Sequence, residues 1–408
     1  MYISPEAKEL HMNAKVIDIH CHPSLKMELF GYHIYNENHP NPSRDFSVFS
    51  IDHMQVDLPK LKRGRTDCIF STIYVPERSF IDNCVLFNAI EWLIQILGPD
   101  MHSKIERRTN EGAFNQAIDA ITRVENEVLH ASNQGERVIV PKTYTEFEDR
   151  INKGDICFLH ALEGAHHLGK NFDDEIKYWN KLDTYIQKGV CLITPAHFVE
   201  NDFVYPANGI APGTKEMLGF DYDYDAIKDK GLKPLGRKLI EKMLDKGVIV
   251  DLTHLTTAER DEVFQMNNDR GENKRPLVFS HSGVRAKCSN ELLTPSDDEI
   301  IKIRDCGGTI GIIAMKYWLN GSEKEPDYSL YEMIDTMKHI AIVCGNYDHI
   351  SIGTDFDGFT EPCDDIYSGS DLVKLTQAMM ENSIDNDDII KVLGENTMRV
   401  LKNGWGNN

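Results

Sequence analysis

"LGRKLIEKMLDKGVIVDLTH", Leu235 to His254, joins two hydrophobic periodicities in one short stretch. Leu235, Leu239, Ile240, Met243 and Leu244 recur at helical spacing along one face. Gly247 stands where such a helix ends, and "VIVDLTH" (Val248–His254) follows as a near-continuous apolar strand that closes on a histidine. A strand that is apolar on both faces belongs in a parallel sheet covered by helices. The unit is helix, glycine, buried strand and polar terminus.

The unit recurs along the chain. Further strand candidates are "KVIDIH" (Lys15–His20), "DCIFSTIYV" (Asp67–Val75), "ICFLHALEG" (Ile156–Gly164) and "VCLITPAH" (Val190–His197). "LVFSHS" (Leu277–Ser282), "TIGIIAM" (Thr309–Met315) and "HISIGTD" (His349–Asp355) bring the total to eight. Helical spacing of Ile118, Ile121, Val124 and Val128 fills one gap. "QKGV" repeats the glycine before a strand, and Ser296 three residues before Glu299 reads as a capping box. Eight such units predict a (β/α)8 TIM barrel, in preference to an open doubly wound sheet. A single domain over residues 1–408 is expected, with insertion loops at about 26–62 and 97–112.

The polar residues collect at equivalent ends of these strands. "KVIDIHCHPS" ends the first strand with His20 and His22, two imidazoles at strand spacing that project together. The third strand ends near Glu163, the fourth at His197, the fifth at His254, the sixth at His281 and the eighth at Asp355. Singly, the histidine of "FSHS" or "LTHL" would be an ordinary satisfied core residue. In a barrel, however, the carboxyl ends of all strands meet at one rim, where active sites lie. The set therefore reads as a metal centre.

Neutral imidazoles and carboxylates without thiolates suit Zn²⁺ in an open catalytic arrangement, with Mn²⁺, Co²⁺ or Fe²⁺ as alternatives. Five ligand candidates plus an aspartate exceed the needs of one tetrahedral ion, so two Zn²⁺ per subunit are expected. Glu163 is the natural bridge, because it alone among the candidate ligands carries two oxygens. Cys21 points away between its histidine neighbours and is assigned to packing.

The bulk composition narrows the class. Hydrophobic residues make up 41% and charged residues 27%, as in a globular protein with a sizeable core. A formal net charge of −21 repels phosphate backbones, which argues against a nucleic-acid partner. No secretory leader, membrane span or lipid-anchor signal is visible. The nine cysteines are scattered singletons, which suits a reducing cytoplasm. A cytoplasmic protein without a membrane partner is the expectation.

"DIHCHPS", "EGAHHLG", "LITPAHFVEND", "GLKPLGRKLIEKMLDKGVIVDLTH", "PLVFSHSGVRAKC" and "ISIGTDFDGF" resemble, in order and rough spacing, the membrane (renal) dipeptidase family of binuclear zinc peptidases. The resemblance is close over the first strand and from about Gly154 to Leu401, and thin across Lys26–Glu146. It implies that His20 and His22 hold one zinc, that Glu163 bridges, and that His254 and His281 complete the second. It implies that His197 contacts substrate and polarises the scissile carbonyl. Asp355 would handle protons near the attacking water and the substrate amine, with Asp357 as the alternative. The expected substrate is a small dipeptide, and a homodimer is the assembly the family leads one to expect.

Two departures stand out. The family usually has Asp where this chain has His22. It also places an arginine eleven residues after His281 to clamp the substrate carboxylate, where this chain has Leu292. Arg285 and Lys287 are the nearby cations, and Arg285 is the substrate-binding candidate. The alternative activity on the same metals is hydrolysis of another small amide, an N-acyl amino acid or a lactone.

Overall fold

The structure, a computed structural model, describes residues 1–38, 53–86, 112–288, 293–321, 330–360, 362–363 and 365–406. Nine strands are described: β1 (Ile17–Cys21), β2 (Cys68–Ile73), β3 (Val138–Ile139), β4 (Ile156–Glu163), β5 (Val190–Thr194), β6 (Ile249–Val250), β7 (Val278–Ser282), β8 (Thr309–Ile312) and β9 (Ile350–Ile352). All their pairings are parallel, and the order is β6-β5-β4-β2-β1-β9-β8-β7. A parallel bridge between Asp251 and Val278 joins the two ends of that order, and the Leu252 amide donates to the Val278 carbonyl at 2.8 Å. The architecture is the expected (β/α)8 barrel. β3 was not anticipated; it pairs with the start of β4, outside the ring.

The helices lie where the periodicity put them. Pro234–Lys246 buries Leu239, Ile240, Met243 and Leu244. Gly-free continuation beyond Lys246 is excluded: Gly247 sits at φ 68°, and a Cβ there would come within 2.1 Å of the Gly406 carbonyl. Gly112–Asn133 buries Ile121, Val124 and Val128 along one stripe. The capping box of Ser296 with Glu299 opens the helix Asp297–Asp305, and an unforeseen one of Thr256 with Glu259 opens Thr257–Asn268.

The strands are shorter than the apolar runs. β5 stops at Thr194 and β6 at Val250, so His197 and His254 lie in the turns beyond them. His254 has φ 67° and Asp355 φ 61°, a left-handed conformation that costs on the order of 1–3 kcal/mol for a residue with a Cβ. Continued extended backbone would direct these side chains along the barrel wall. The left-handed turns aim them at the mouth.

The expected insertion 26–62 overlaps helices at Pro23–Phe30 and Leu58–Arg63. Its residues 39–52 lie outside the described residues, as do 97–111 of the second expected insertion and Leu292. Among the described residues, no helix is long and apolar enough to cross a membrane.

Candidate metal centre

β1 delivers His20, and the turn after it delivers His22, whose amide donates to the Phe356 carbonyl at 2.8 Å. β4 ends on Glu163 and β7 carries His281. Despite their separation in sequence, these groups meet. The Nε2 atoms of His20 and His22 lie 3.0 Å apart, and those of His254 and His281 lie 3.2 Å apart. Glu163 stands between the pairs: Oε2 is 3.3 Å from His22 Nε2, and Oε1 is 3.4 Å from His254 and 3.6 Å from His281. His20 Nε2 is 3.5 Å from Oε1.

The electrostatics suit a cation. Burial pushes the His20 and His281 imidazoles well below the ordinary histidine value, and neighbouring imidazoles add to the effect. Burial also lowers His254 to about 4 and raises the Glu163 carboxyl to about 7. At His22 burial acts downward too, but the Asp355 and Glu163 carboxylates outweigh it and lift that imidazole. Glu163 Oε1 is buried with no hydrogen-bond donor, although imidazole nitrogens surround it. Imidazole nitrogens packed this closely around a carboxylate are a donor set that fits a metal cation. His20, His22 and Glu163 form one geometrically competent group, Glu163, His254 and His281 a second, and His20, His281 and Asp355 a third.

Asp355 Oδ1 lies 3.3 Å from His22 Nε2 and 3.8 Å from His20 Nε2, at the edge of the cluster. Asp357 is occupied elsewhere: it accepts the amides of Gln55 at 2.6 Å and Val56 at 3.0 Å, fastening that segment to the barrel. His197 Nε2 faces Glu163 Oε2 at 3.5 Å. Cys21 is buried with Sγ 3.5 Å from the Phe70 carbonyl, in keeping with packing.

The described contacts of Arg285 lie with neighbouring residues rather than with the cluster. Its Nη2 lies 3.3 Å from Glu299 Oε2 and 3.3 Å from the Thr294 carbonyl, beside the buried Arg260–Glu299 pair. The guanidinium is already matched to an acid of its own chain. Lys287 is exposed.

The chain that carries this constellation has known relatives. The family model described as membrane dipeptidase (peptidase family M19) matches residues 4–404. The chain belongs to that family. It is a metal-dependent hydrolase of the dipeptidase class. The dipeptidase aclJ of Aspergillus oryzae is 25% identical over 373 residues, covering 90% of this chain and 73% of the relative. The dipeptidase tcpJ of Claviceps purpurea is 25% identical over 354 residues, covering 85% and 68%. Among solved structures, the probable dipeptidase PvdM from Pseudomonas aeruginosa has a TM-score of 0.70 at 19% identity, covering 98% of this chain and 97% of that one. A metallo peptidase from Rhodobacter sphaeroides, liganded with a phosphinate mimic of L-Ala-D-Ala, has a TM-score of 0.69 at 20% identity, covering 96% and 99%. Both share the fold of this chain.

Sequence reading missed several residues around the centre. It left the second and seventh strand ends without a polar or chemical group. The second strand leads to Glu77, whose Oε2 accepts the Tyr74 hydroxyl at 2.6 Å and whose Oε1 lies 3.5 Å from His197 Nδ1. The seventh leads to Trp318, whose ring stacks 5.4 Å from His281 and lies 5.2 Å from His254, and whose Nε1 donates to the Gly209 carbonyl. A search for polar or aromatic residues a few positions past every strand end would have found both.

Proposed function

We propose that this member of the M19 family is a binuclear zinc dipeptidase that cleaves small dipeptides. His20, His22 and Glu163 would hold one ion, and Glu163, His254 and His281 the other. The observation that carries this reading is Glu163 lying between two close imidazole pairs. When bound, the cations supply Lewis acidity for the scissile carbonyl and lower the pKa of a water towards about 7.

The chain's own residues do the rest. Asp355 Oδ1 takes the proton from the attacking water and passes it to the leaving amine nitrogen, work that contributes about 10²–10⁴-fold. His197 donates from Nε2 to the developing oxyanion, worth about 3–4 kcal/mol for one such donor. Glu77 lies at Nδ1 and places a carboxylate behind the ring. Tyr74 and Phe198 pack on the His197 ring, with centroids 4.3 and 3.7 Å away, and restrict its rotation.

A second reading is hydrolysis of an N-acyl amino acid, another small amide or a lactone on the same metals. It draws support from Leu292, which stands where the family places its carboxylate-clamping arginine, and from Arg285 lying against Glu299. Turnover of a dipeptide panel against N-acyl amino acids and lactones, at defined zinc content, tests both. Dipeptide cleavage that disappears with zinc and returns with it is the expected result; hydrolysis of the other classes alone would replace the first reading with the second.

The cytoplasmic location and homodimer belong to the same proposal. Nine cysteines, none of them in a disulfide, support the first. Cell fractionation and light scattering test them.

A further inference from the structure

Ser280 precedes His281 in β7, and nothing described so far gives its side chain a task. Its hydroxyl oxygen lies 2.9 Å from Nδ1 of His20, 2.9 Å from Nδ1 of His281 and 2.5 Å from Oδ2 of Asp251. All four side chains are buried. A hydroxyl has one proton to donate and two lone pairs with which to accept.

Asp251 decides where that proton goes. Its Oδ1 accepts the backbone amides of Thr253 at 3.0 Å and Ser280 at 2.9 Å, and its Oδ2 accepts the Thr194 hydroxyl at 2.5 Å. An acceptor-only carboxylate so placed takes the Ser280 proton. The serine oxygen is then left with lone pairs alone, so His20 and His281 must each carry their proton on Nδ1. Each therefore presents a bare Nε2 towards Glu163, at 3.5 and 3.6 Å respectively. In the two-cation reading the two histidines belong to different halves of the donor set.

We propose that Ser280, oriented by Asp251, is a positioning residue that sets the metal-ready tautomer of one histidine in each cation site at once. One hydroxyl thereby preorganises both sites and couples their loading. The inference rests on the two-cation reading above, but its central claim about tautomers concerns the metal-free chain. A buried serine that merely fills space would leave those tautomers unaffected by its removal.

Two variants test it. Ser280→Ala removes the hydroxyl. Asp251→Asn keeps the shape and reverses the polarity: the amide oxygen must face the amides of Thr253 and Ser280, so the NH₂ faces the serine oxygen. Ser280 would then accept from Asn and donate to one imidazole Nδ1, forcing that ring's proton onto Nε2. Nitrogen-15 spectra of the imidazoles in metal-free protein report the tautomers, and zinc titration against a competing chelator reports both affinities.

The expected result for Ser280→Ala is mixed tautomers at His20 and His281 and about 10–100-fold weaker zinc binding at both sites. For Asp251→Asn, one of the two rings switches to the Nε2–H form. Ser280→Thr, which retains the hydroxyl, restores binding. Wild-type tautomers with unchanged affinities in folded Ser280→Ala overturn the proposal, and so does weakening confined to the His281 site. If Ser280→Ala does not fold, unchanged tautomers in Asp251→Asn overturn it equally. A wild-type protein that takes up fewer than two ions defeats the two-cation reading instead, while the metal-free spectra still judge Ser280.

Discussion

Glu77 and His197 face each other behind the metal centre, with Glu77 Oε1 3.5 Å from His197 Nδ1 and both side chains nearly buried. Burial alone would raise the Glu77 carboxyl. The imidazoles of His197 and His166 outweigh it and hold that carboxyl below its ordinary range. The Glu77 carboxylate thus backs an imidazole whose Nε2 points at Glu163. Glu77→Gln keeps the shape and removes the charge, so zinc content should stay at the wild-type level while kcat falls about 10–100-fold. Metal analysis alongside steady-state kinetics checks this; a loss of zinc would place Glu77 in the metal site's support instead.

His197→Ala should likewise retain its metals. Removal of a single oxyanion donor lowers kcat by about 10²–10³-fold. A preparation depleted of zinc would show that His197 is a ligand.

Glu163→Ala should lose both ions rather than one, because its carboxylate contacts both imidazole pairs. Elemental analysis after gel filtration reads the stoichiometry directly. Retention of one tightly held ion would contradict the bridging role.

Gly358 approaches the same region closely. A Cβ there would come 2.3 Å from Asp355 Oδ1 and 3.0 Å from His22 Cδ2. The Asp355 side chain can swing aside, so Gly358→Ala should fold. It should nevertheless lose turnover, on the order of 10²-fold for a displacement of about 1 Å. Unchanged kcat with a wild-type melting temperature would separate Asp355 from proton transfer.

His160 provides a pH signature away from the metal centre. It is fully buried in β4, and burial lowers its imidazole to about 4 from the ordinary 6.5. A depressed folded-state pKa contributes stability that is complete above 6.5 and is lost as pH falls through about 4. The shift corresponds to roughly 3 kcal/mol. His160→Phe should make the metal-free protein's unfolding free energy less steep between those pH values. Denaturant titrations at stepped pH measure the slope, and an unaltered slope rules His160 out as its source.

Much of this was legible in the chain. Helical stripes such as Leu239, Ile240 and Met243, the glycine at Gly247 and the capping box at Ser296 are local patterns, set by bonding and periodicity within a few residues. Strand ends rich in His, Glu and Asp then pointed to one rim once a barrel was inferred. The partnerships were not legible. Ser280 looked like an unremarkable strand residue until closure brought His20 to its hydroxyl, 260 positions away in sequence. Glu77 gained a role only because β2 and β5 end near each other across β4.

The amino-acid order alone thus determined the alternation of elements and the stock of metal-seeking side chains, because both depend on short-range spacing and residue chemistry. Tertiary structure alone decided which nitrogen of each imidazole faces the centre, which of Asp355 and Asp357 reaches the cluster, and which acid lies beside Arg285. Those outcomes depend on distances between atoms remote in sequence, and such distances exist only after the barrel has closed.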